Sequence, residues 1–599
     1  MRILLFMMLL GMASLTIHAQ GVTTASISGQ ITDNSGEALV GANVTAVHGP
    51  TGTFYGTSTD LDGYYRISNM RTGGPFRISV SYTGYEELSK DNIYLNLGQT
   101  LRISESLSET SVQLDEIAIT ASRSDVFDGN RTGAETFIGA DQIGILPTVS
   151  RSIGDFARVT PQATVTEGND GFSISLNGVN NRFNAIYIDG AVNNDVFGLA
   201  GSGTNGGQTG VSPFSVDAIE EFQISLAPFD VRAGGFAGGS INAITKSGSN
   251  NVEGSVYTFM RNQSLAGKTP TDNPNVERTR LADFSARTTG FRIGGPLVKD
   301  KIFFFVNGEI QRDELPLPFD FADYNGNSSL ADLQALESKL NGEFGYDPGN
   351  LTDSRTFIDS DKITAKFDFN LSNNHKLSLK HSYVAATNVE GNQSNSRLLR
   401  YTNSAEFFDT KTNSTSLELN SVIGSKYSNN LVLGFTSVRD DRDPSGQNFP
   451  YVIIDDGNGS DIIFGSEPFS TANLLNQDIF TITNNFNIYK GKHNFTIGTH
   501  NEFYKVDNLF LAFNFGWYEY DGLSSFLNDE NASFFQRVFS LRDNVVGDDS
   551  QAIASFTGGQ IGFYVQDEIQ MSERFKLTAG IRLDVPYFSD TPANDQFNN

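Results

Sequence analysis

The sequence contains no cysteine. Structural disulfides, thiol catalysis and thiolate metal sites are therefore excluded. So is a lipid anchor carried on an N-terminal cysteine. Tryptophan is almost missing, with one residue against 47 phenylalanines and 20 tyrosines. Basic side chains are in the minority, 42 Lys and Arg against 69 Asp and Glu, for a net charge of -27. Nucleic acid needs a basic stripe and is excluded as a partner. An acidic balance of this kind marks a solvated surface and points to no acidic site. Beyond residue 19 no apolar run approaches the length of a membrane-spanning helix.

What is present reads as β structure. Glycine reaches 59 of 599 residues and aromatics 11%, a mixture that suits many turns and aromatic faces. Residues 1–19 form a signal peptide. Arg2 supplies the positive end, Ile3 to Leu15 the apolar core, and Ile17-His18-Ala19 the cleavage site. The chain is exported, and an exported chain without helical spans is periplasmic, secreted or a β-barrel.

Residues 22–107 predict a small β-sandwich. Ala25, Ile27 and Ile31 alternate with polar residues, as do Ala42, Val44 and Ala46. Turns follow at Asp33-Asn34-Ser35-Gly36 and Asp60-Leu61-Asp62-Gly63. Residues 108–123 are an extended linker. Residues 124–247 predict a mixed α+β domain. Ile153, Phe156 and Ala157 have helical spacing. Asp217 with Glu220 reads as a capping-box start for a second helical turn. Strands are expected at Ile174–Leu176, Ala185–Ile188 and Phe222–Leu226. The glycine-rich run from Gly198 to Gly210 reads as a flexible loop with no packing face.

From 252 to 599 one pattern recurs. Ile363, Ala365, Phe367 and Phe369 alternate with Thr364, Lys366, Asp368 and Asn370. A turn at Ser372-Asn373-Asn374 then leads into Leu377 and Leu379. Equivalent hairpins turn at Val298-Lys299-Asp300-Lys301, Lys490-Gly491-Lys492 and Ser572-Glu573-Arg574. The reading is about eleven strands of roughly ten residues, with short turns alternating with long polar loops, the asymmetry of an outer-membrane barrel. Eleven is odd, and the chain ends in the polar stretch Gln596-Phe597-Asn598-Asn599. The expectation is a truncated chain holding about half of a roughly 22-stranded barrel.

Two resemblances sharpen this picture. Gly29, Ile31, Asp33, Gly36, Leu39, Gly41, Ala42 and Val44, with Thr59, Asp62-Gly63, Tyr65 and Ile67, resemble the carboxypeptidase regulatory-like domain. That is a transthyretin-like fold, also grouped with carbohydrate-binding-like domains. Three later blocks resemble the plug of TonB-dependent receptors: Leu176 to Asp189-Gly190, Asp217 to Gln223, and Gly234 to Lys246. Ala227-Pro228-Phe229-Asp230-Val231-Arg232, with Gly294-Gly295-Pro296 and Tyr564-Val565-Gln566-Asp567-Glu568, is similar to the Oar-like branch of that family.

The resemblance implies a fold that is mainly all-β: a transthyretin-like sandwich, a mixed α+β plug and the first half of a transmembrane barrel. It assigns a plug motif to Asn177, Gly178, Asp189, Gly190, Gly238, Gly239 and Asn242. It makes Asp115, Glu116, Ile117, Ala118, Ile119, Thr120 and Ala121 a candidate TonB box, which binds by strand addition; the same residues also suit a plain linker or a last sandwich strand. It implies an outer-membrane receptor or transporter, with sandwich and plug facing the periplasm. The expected partners are the TonB energising complex, outer-membrane lipid and an extracellular ligand such as a glycan, peptide or metal chelate. An Oar-like surface adhesion or structural protein is the alternative.

No catalytic, cofactor or metal site is expected. No H-E-x-x-H, P-loop, dinucleotide fingerprint or Ser-His-Asp order stands out. His375, His381, His493 and His500 fall on wall strands. The acidic, glycine-rich stretches at Glu167–Gly171 and Asp455–Gly459 lack the ligand spacing of a calcium loop.

Overall fold

The computed structural model describes residues 21–110, 134–146, 148, 151–168, 171–226, 228–541, 549–572 and 575–589. The signal peptide and the candidate TonB box lie outside them.

Alternation in the first hundred residues closes two sheets face to face. One holds Tyr64–Met70, Ala25–Asp33 and Thr100–Arg102, with Glu105–Leu107 also pairing the Ala25–Asp33 strand. The other runs Thr53–Ser58, Asn43–His48, Gly73–Ser81, Leu88–Leu95. Ile27, Ile31, Val44, Ile67, Ile78 and Ile93 meet between them. Inward residues at every second position bury one face of each strand and leave the other wet.

A second unit is built on a five-stranded sheet ordered Ala191–Val192, Ala185–Ile188, Gly239–Thr245, Ile219–Leu226, Ala134–Gly139. The hairpin Ala163–Gly168 with Gly171–Leu176 and the helix Ile153–Ala157 cover one side. Phe156 stacks on Phe222 at 5.2 Å, and Phe214 meets Phe222 at 5.8 Å. The expected helical turn at Asp217 does not form. Val216–Ala218 is a single 3-10 turn, and Ile219–Leu226 is a strand because it has partners on both sides. Ladder bonds on two edges outweigh a local cap.

The third unit is one antiparallel sheet of eleven strands. They are β1 (Glu253–Asn262), β2 (Ser285–Val298), β3 (Ile302–Pro318), β4 (Asp353–Asn370), β5 (His375–Glu390), β6 (Glu406–Ile423), β7 (Tyr427–Pro444), β8 (Asn473–Lys490), β9 (His493–Phe510), β10 (Ala554–Ser572) and β11 (Phe575–Phe588). Their order in the sheet is their order in the chain. Lengths run from 10 to 19 residues, and all but β1 exceed the ten expected. At about 3.3 Å per residue and a tilt of about 40°, an 18-residue strand rises about 45 Å, well beyond an apolar band of about 25 Å. The alternation locates the apolar zone, and hydrogen bonding carries each ladder past it.

The polarity of this sheet is inside out. Ile293, Ile310, Ile363, Phe435, Phe480, Ile497 and Ile581 are exposed on it. On the opposite face Asn307, Glu309, Lys366, Lys380, Thr412, Thr436, Gln477, Thr483 and Gln566 are buried. A water-soluble sheet would reverse this. Apolar residues facing out and polar residues facing in are what a wall in lipid requires.

Short connections at 299–301, 371–374, 424–426 and 491–492 all lie at one end of the sheet, where Ser572 of β10 also pairs with Phe575 of β11. The long ones lie at the other, and four of them are not the separate polar loops that their composition suggested. The helix Leu330–Glu343 packs on a sheet ordered Leu398–Arg400, Asp461–Phe464, Tyr451–Asp455, Trp517–Tyr520, Phe534–Gln536. Leu336, Leu340, Tyr346, Tyr401, Ile454, Ile462, Phe464 and Phe526 share a core there. Segments far apart in sequence form this cap together, and no one of them has an apolar face large enough to fold alone.

Candidate functional site

The motif residues first serve to shape turns. Asn177 and Gly178 have φ of 55° and 73°, and Asp189 and Gly190 have 47° and 75°. Leu176 bridges Val179, and Ile188 pairs with Ala191, so each dipeptide is a two-residue hairpin loop. Such loops need left-handed backbone at both positions, which Asn-Gly and Asp-Gly supply. Gly238 and Gly239 answer a different need. A Cβ on Gly238 would sit 2.5 Å from Asn184 Oδ1, and one on Gly239 2.8 Å from Ser225 O. Asn177 Nδ2 donates to Gly238 O at 3.2 Å, and Asn242 Nδ2 to Gln223 Oε1 at 3.2 Å. Five of the seven thus belong to the five-stranded sheet and its turns, and Asn177-Gly178 turns the chain beyond the neighbouring two-stranded hairpin, which Asn177 ties to Gly238.

Asp189 also does something that the resemblance did not indicate. Its carboxylate accepts from Thr245 N at 3.0 Å and Thr245 Oγ1 at 2.8 Å. Lys366 of β4 and Lys380 of β5 each stand 3.2 Å from it. Burial works against its charge, but the two ammonium groups outweigh burial and hold the carboxyl well below its usual range. The sequence signal was available. Lys362, Lys366 and Lys380 share the polar face of their strands, and a lysine turned away from solvent needs a carboxylate.

Similar contacts run right across the wall. Ser215 Oγ donates to Glu309 Oε2 of β3 at 2.9 Å, where Tyr257 of β1 and Lys362 of β4 also bind. Gln208 Nε2 donates to Asp440 of β7 at 2.8 Å, and Gln477 Nε2 of β8 to Asp195 at 3.4 Å. Val231 N donates to Gln566 Oε1 of β10, and Val231 O accepts from Arg582 of β11, both at 3.0 Å. One small domain therefore touches strands from β1 to β11. Laid flat, ten spacings of about 4.8 Å would put those strands about 48 Å apart. Simultaneous contact requires a sheet curved around the domain.

The glycine-rich run from 198 to 210 is packed, contrary to its composition. Ser202, Thr204, Asn205, Gln208 and Thr209 are buried. Asn388 Nδ2 of β5 donates to Thr209 O at 3.4 Å. Small residues let the backbone approach the wall closely, and the wall supplies the packing face that the loop lacks. This run sits toward the long-connection end and Asp189 toward the short-turn end. Burial, with Arg292 adding repulsion, pushes Lys246 down to about 8.

The wall histidines have local partners. His375 pairs with Ser421, His381 with Thr415, His493 with Asp567 and His500 with Thr483 and Glu502, all within 3.0 Å. Among the described residues no group of three His, Cys, Asp or Glu is placed to hold a metal. The acidic stretch at 455–459 staples the cap, since Asp456 accepts from Tyr324 OH at 2.9 Å and Ser328 Oγ at 2.5 Å. The stretch at 167–171 lies partly outside the described residues.

Comparison with known proteins agrees with this architecture. The carboxypeptidase regulatory-like domain family matches residues 26–108, and the outer membrane beta barrel domain family matches 244–319 and 328–599. The TonB-dependent transporter Oar of Myxococcus xanthus is 28% identical over 261 residues, 41% of this chain and 23% of that relative. The probable TonB-dependent siderophore receptor PirA of Acinetobacter baumannii is 27% identical over 227 residues, 35% of this chain and 26% of that relative. These matches thus span about a quarter of each relative. Among solved structures, the outer membrane transporter YddB of Escherichia coli superposes with a TM-score of 0.52 at 14% identity, covering 76% of this chain and 56% of its own. That likeness is one of fold.

Proposed function

The chain belongs to the outer membrane beta barrel family, and from that premise we propose that it is a TonB-dependent receptor or transporter, importing a surface-bound ligand to the periplasm. The observation that carries the reading is a separately folded domain held inside an inside-out wall by buried polar contacts, the ion pairs of Asp189 with Lys366 and Lys380 and the hydrogen bond from Ser215 to Glu309, a wall carboxylate that Lys362 also neutralises. A wide lumen needs a stopper, and a stopper with its own core moves or unfolds without destroying the wall.

In this reading residues 124–247 are the plug, 22–107 a periplasmic sandwich, 252–599 the barrel, and 115–121 the TonB box within the linker 108–123. The short turns face the periplasm and the cap faces outside. Ligand enters between the cap and the glycine-rich run of the plug. Strand addition at the box pulls on the plug, and the ion pairs set the resistance. The relatives' names speak of transport and siderophore reception, so a ferric chelate is the first ligand to test, ahead of glycans and peptides. We assign the chain no covalent chemistry.

The test is growth and uptake of ferric chelates, glycans and peptides by three strains: parent, gene deletion, and a deletion of residues 115–121. Uptake should fail in both deletion strains, while surface adhesion survives loss of the box. Uptake unchanged in both would refute transport and leave the adhesion reading.

A further inference from the structure

We propose that the N-terminal sandwich is a second closure of the barrel, seated across its short-turn mouth in series with the plug and able to leave without unfolding. Its contacts visit every hairpin at that end. Pro50 O accepts from Asn250 N at 2.8 Å, and Asn250 Nδ2 donates to Asp300 Oδ1 at 2.7 Å in the β2–β3 turn. Thr53 Oγ1 accepts from Asn370 Nδ2 at 3.0 Å beside the β4–β5 turn. Asn69 Nδ2 donates to Asn429 O at 3.0 Å on the β6–β7 hairpin, and Ser68 Oγ to the Tyr489 hydroxyl at 2.6 Å on the β8–β9 hairpin. Arg66 lies 3.8 Å from Glu568 on the β10–β11 hairpin. Between sandwich, plug and wall lies a partly open polar chamber of about 320 Å³, lined among others by Arg71, Asp189, Ser378 and Asn420.

Two features make this a detachable seat. Every buried residue of the sandwich core lies between Ala25 and Leu107, and none belongs to the plug or the wall. Undocking therefore leaves this core intact and uncovers Leu97, which is buried outside it and donates its N–H to Glu221 of the plug at 3.2 Å. The contacts themselves are mainly hydrogen bonds, with one loose ion pair and the cation–π contacts of Lys376 on Tyr55 at 4.3 Å and Arg66 on Tyr489 at 5.4 Å, each of small cost to replace by water. The tether permits the motion, since the residues between Thr110 and Ala134 span on the order of 80 Å when extended. The purpose of the closure rests on the transporter reading: the segment to be pulled lies in the chain between the two closures, so one pull draws on both.

The chain has no cysteine, so Ser378→Cys places a single thiol in the chamber. Its labelling by a membrane-impermeant, charged maleimide is followed in outer membranes holding the full-length protein. Labelling should be slow in the parent. It should be at least ten-fold faster when Ser68→Ala, Asn69→Ala and Arg66→Ala loosen the seat. A wall-side set, Asn370→Ala, Tyr489→Phe and Glu568→Gln, leaves the sandwich untouched and should give the same acceleration, with hydrogen exchange in Gly73–Ser81 still protected. Fast labelling in the parent, or equal labelling in parent and wall-side set, overturns the proposal. Neither measurement needs a transported ligand. Gated labelling without uptake would refute the transporter reading and leave the closure standing.

Discussion

Replacing Asp189 by asparagine keeps its shape and removes its charge. Two ammonium groups, each 3.2 Å away, then lose the carboxylate they share. Removing one partner of a buried pair costs about 3–5 kcal/mol. Some of this is offset, because Lys366 Nζ also donates to Thr245 O at 3.1 Å and Lys380 Nζ to Ile188 O at 3.4 Å. We therefore expect the low end, about 3 kcal/mol, or on the order of 150-fold in the local opening equilibrium. Hydrogen exchange in Ala185–Ile188 and Gly239–Thr245 reads this directly, since exchange from local opening scales with that equilibrium. Exchange in the β4–β5 ladder should stay slow. Asp189→Asn combined with Lys380→Met should cost less than the two changes summed, because one orphaned ammonium is removed. The pH dependence has a fixed sign. The carboxyl is held below its ordinary 3.8 in the folded protein, so its stabilisation is complete above about pH 5 and drains away below about pH 4. Less than a three-fold change in exchange, or a plug that tightens in acid, would refute the latch.

Three further outcomes follow from other parts of the molecule. His48 is buried in the sandwich, and burial, with Arg71 nearby, pushes its pKa down to about 2. The unfolded chain then takes up a proton below about pH 6.5 that the folded sandwich refuses. Stability should fall by up to about 1.4 kcal/mol per pH unit from there downward, and His48→Gln should flatten that slope in denaturant titrations read in Gly73–Ser81. Gly239→Val drives a side chain into Ser225 O and Leu176; we expect a cost of about 2–3 kcal/mol, seen as protease sensitivity of the plug while the barrel keeps its heat-modifiable gel mobility. Leu336 is fully buried in the cap; Leu336→Ala should cost about 2–5 kcal/mol, exposing the cap to surface proteolysis and weakening ligand capture without preventing membrane insertion.

Much of the wall could be read in advance because its signal is local. Ile363 to Asn370 alternate, Ser372-Asn373-Asn374 turns, and Leu377 and Leu379 return; period two and a turn suffice to define a hairpin. Two tight turns were equally legible, because Asn177-Gly178 and Asp189-Gly190 declare their backbone angles in their residue types. The cap was missed for the opposite reason. Ser329 with Asp332 does cap a helix, and Leu333, Leu336 and Leu340 have its spacing, but the sheet that receives the helix is assembled from three other connections. The packed run at 198–210 failed similarly, since its composition describes only itself and its packing face belongs to β5, β6 and β7.

The amino-acid order alone determined period, turn chemistry and polarity: which segments are strands, where they reverse, and that one face of the large sheet prefers lipid. Those properties depend on residues within about ten positions of one another. Only the tertiary structure decided that Asp189 faces Lys366 and Lys380, that the sandwich sits on the short-turn end, and that four long connections share one core. Each of these joins groups brought together by the curvature of the sheet and the nesting of one domain within it. Curvature is a sum over all eleven strands, and no local window of sequence contains it.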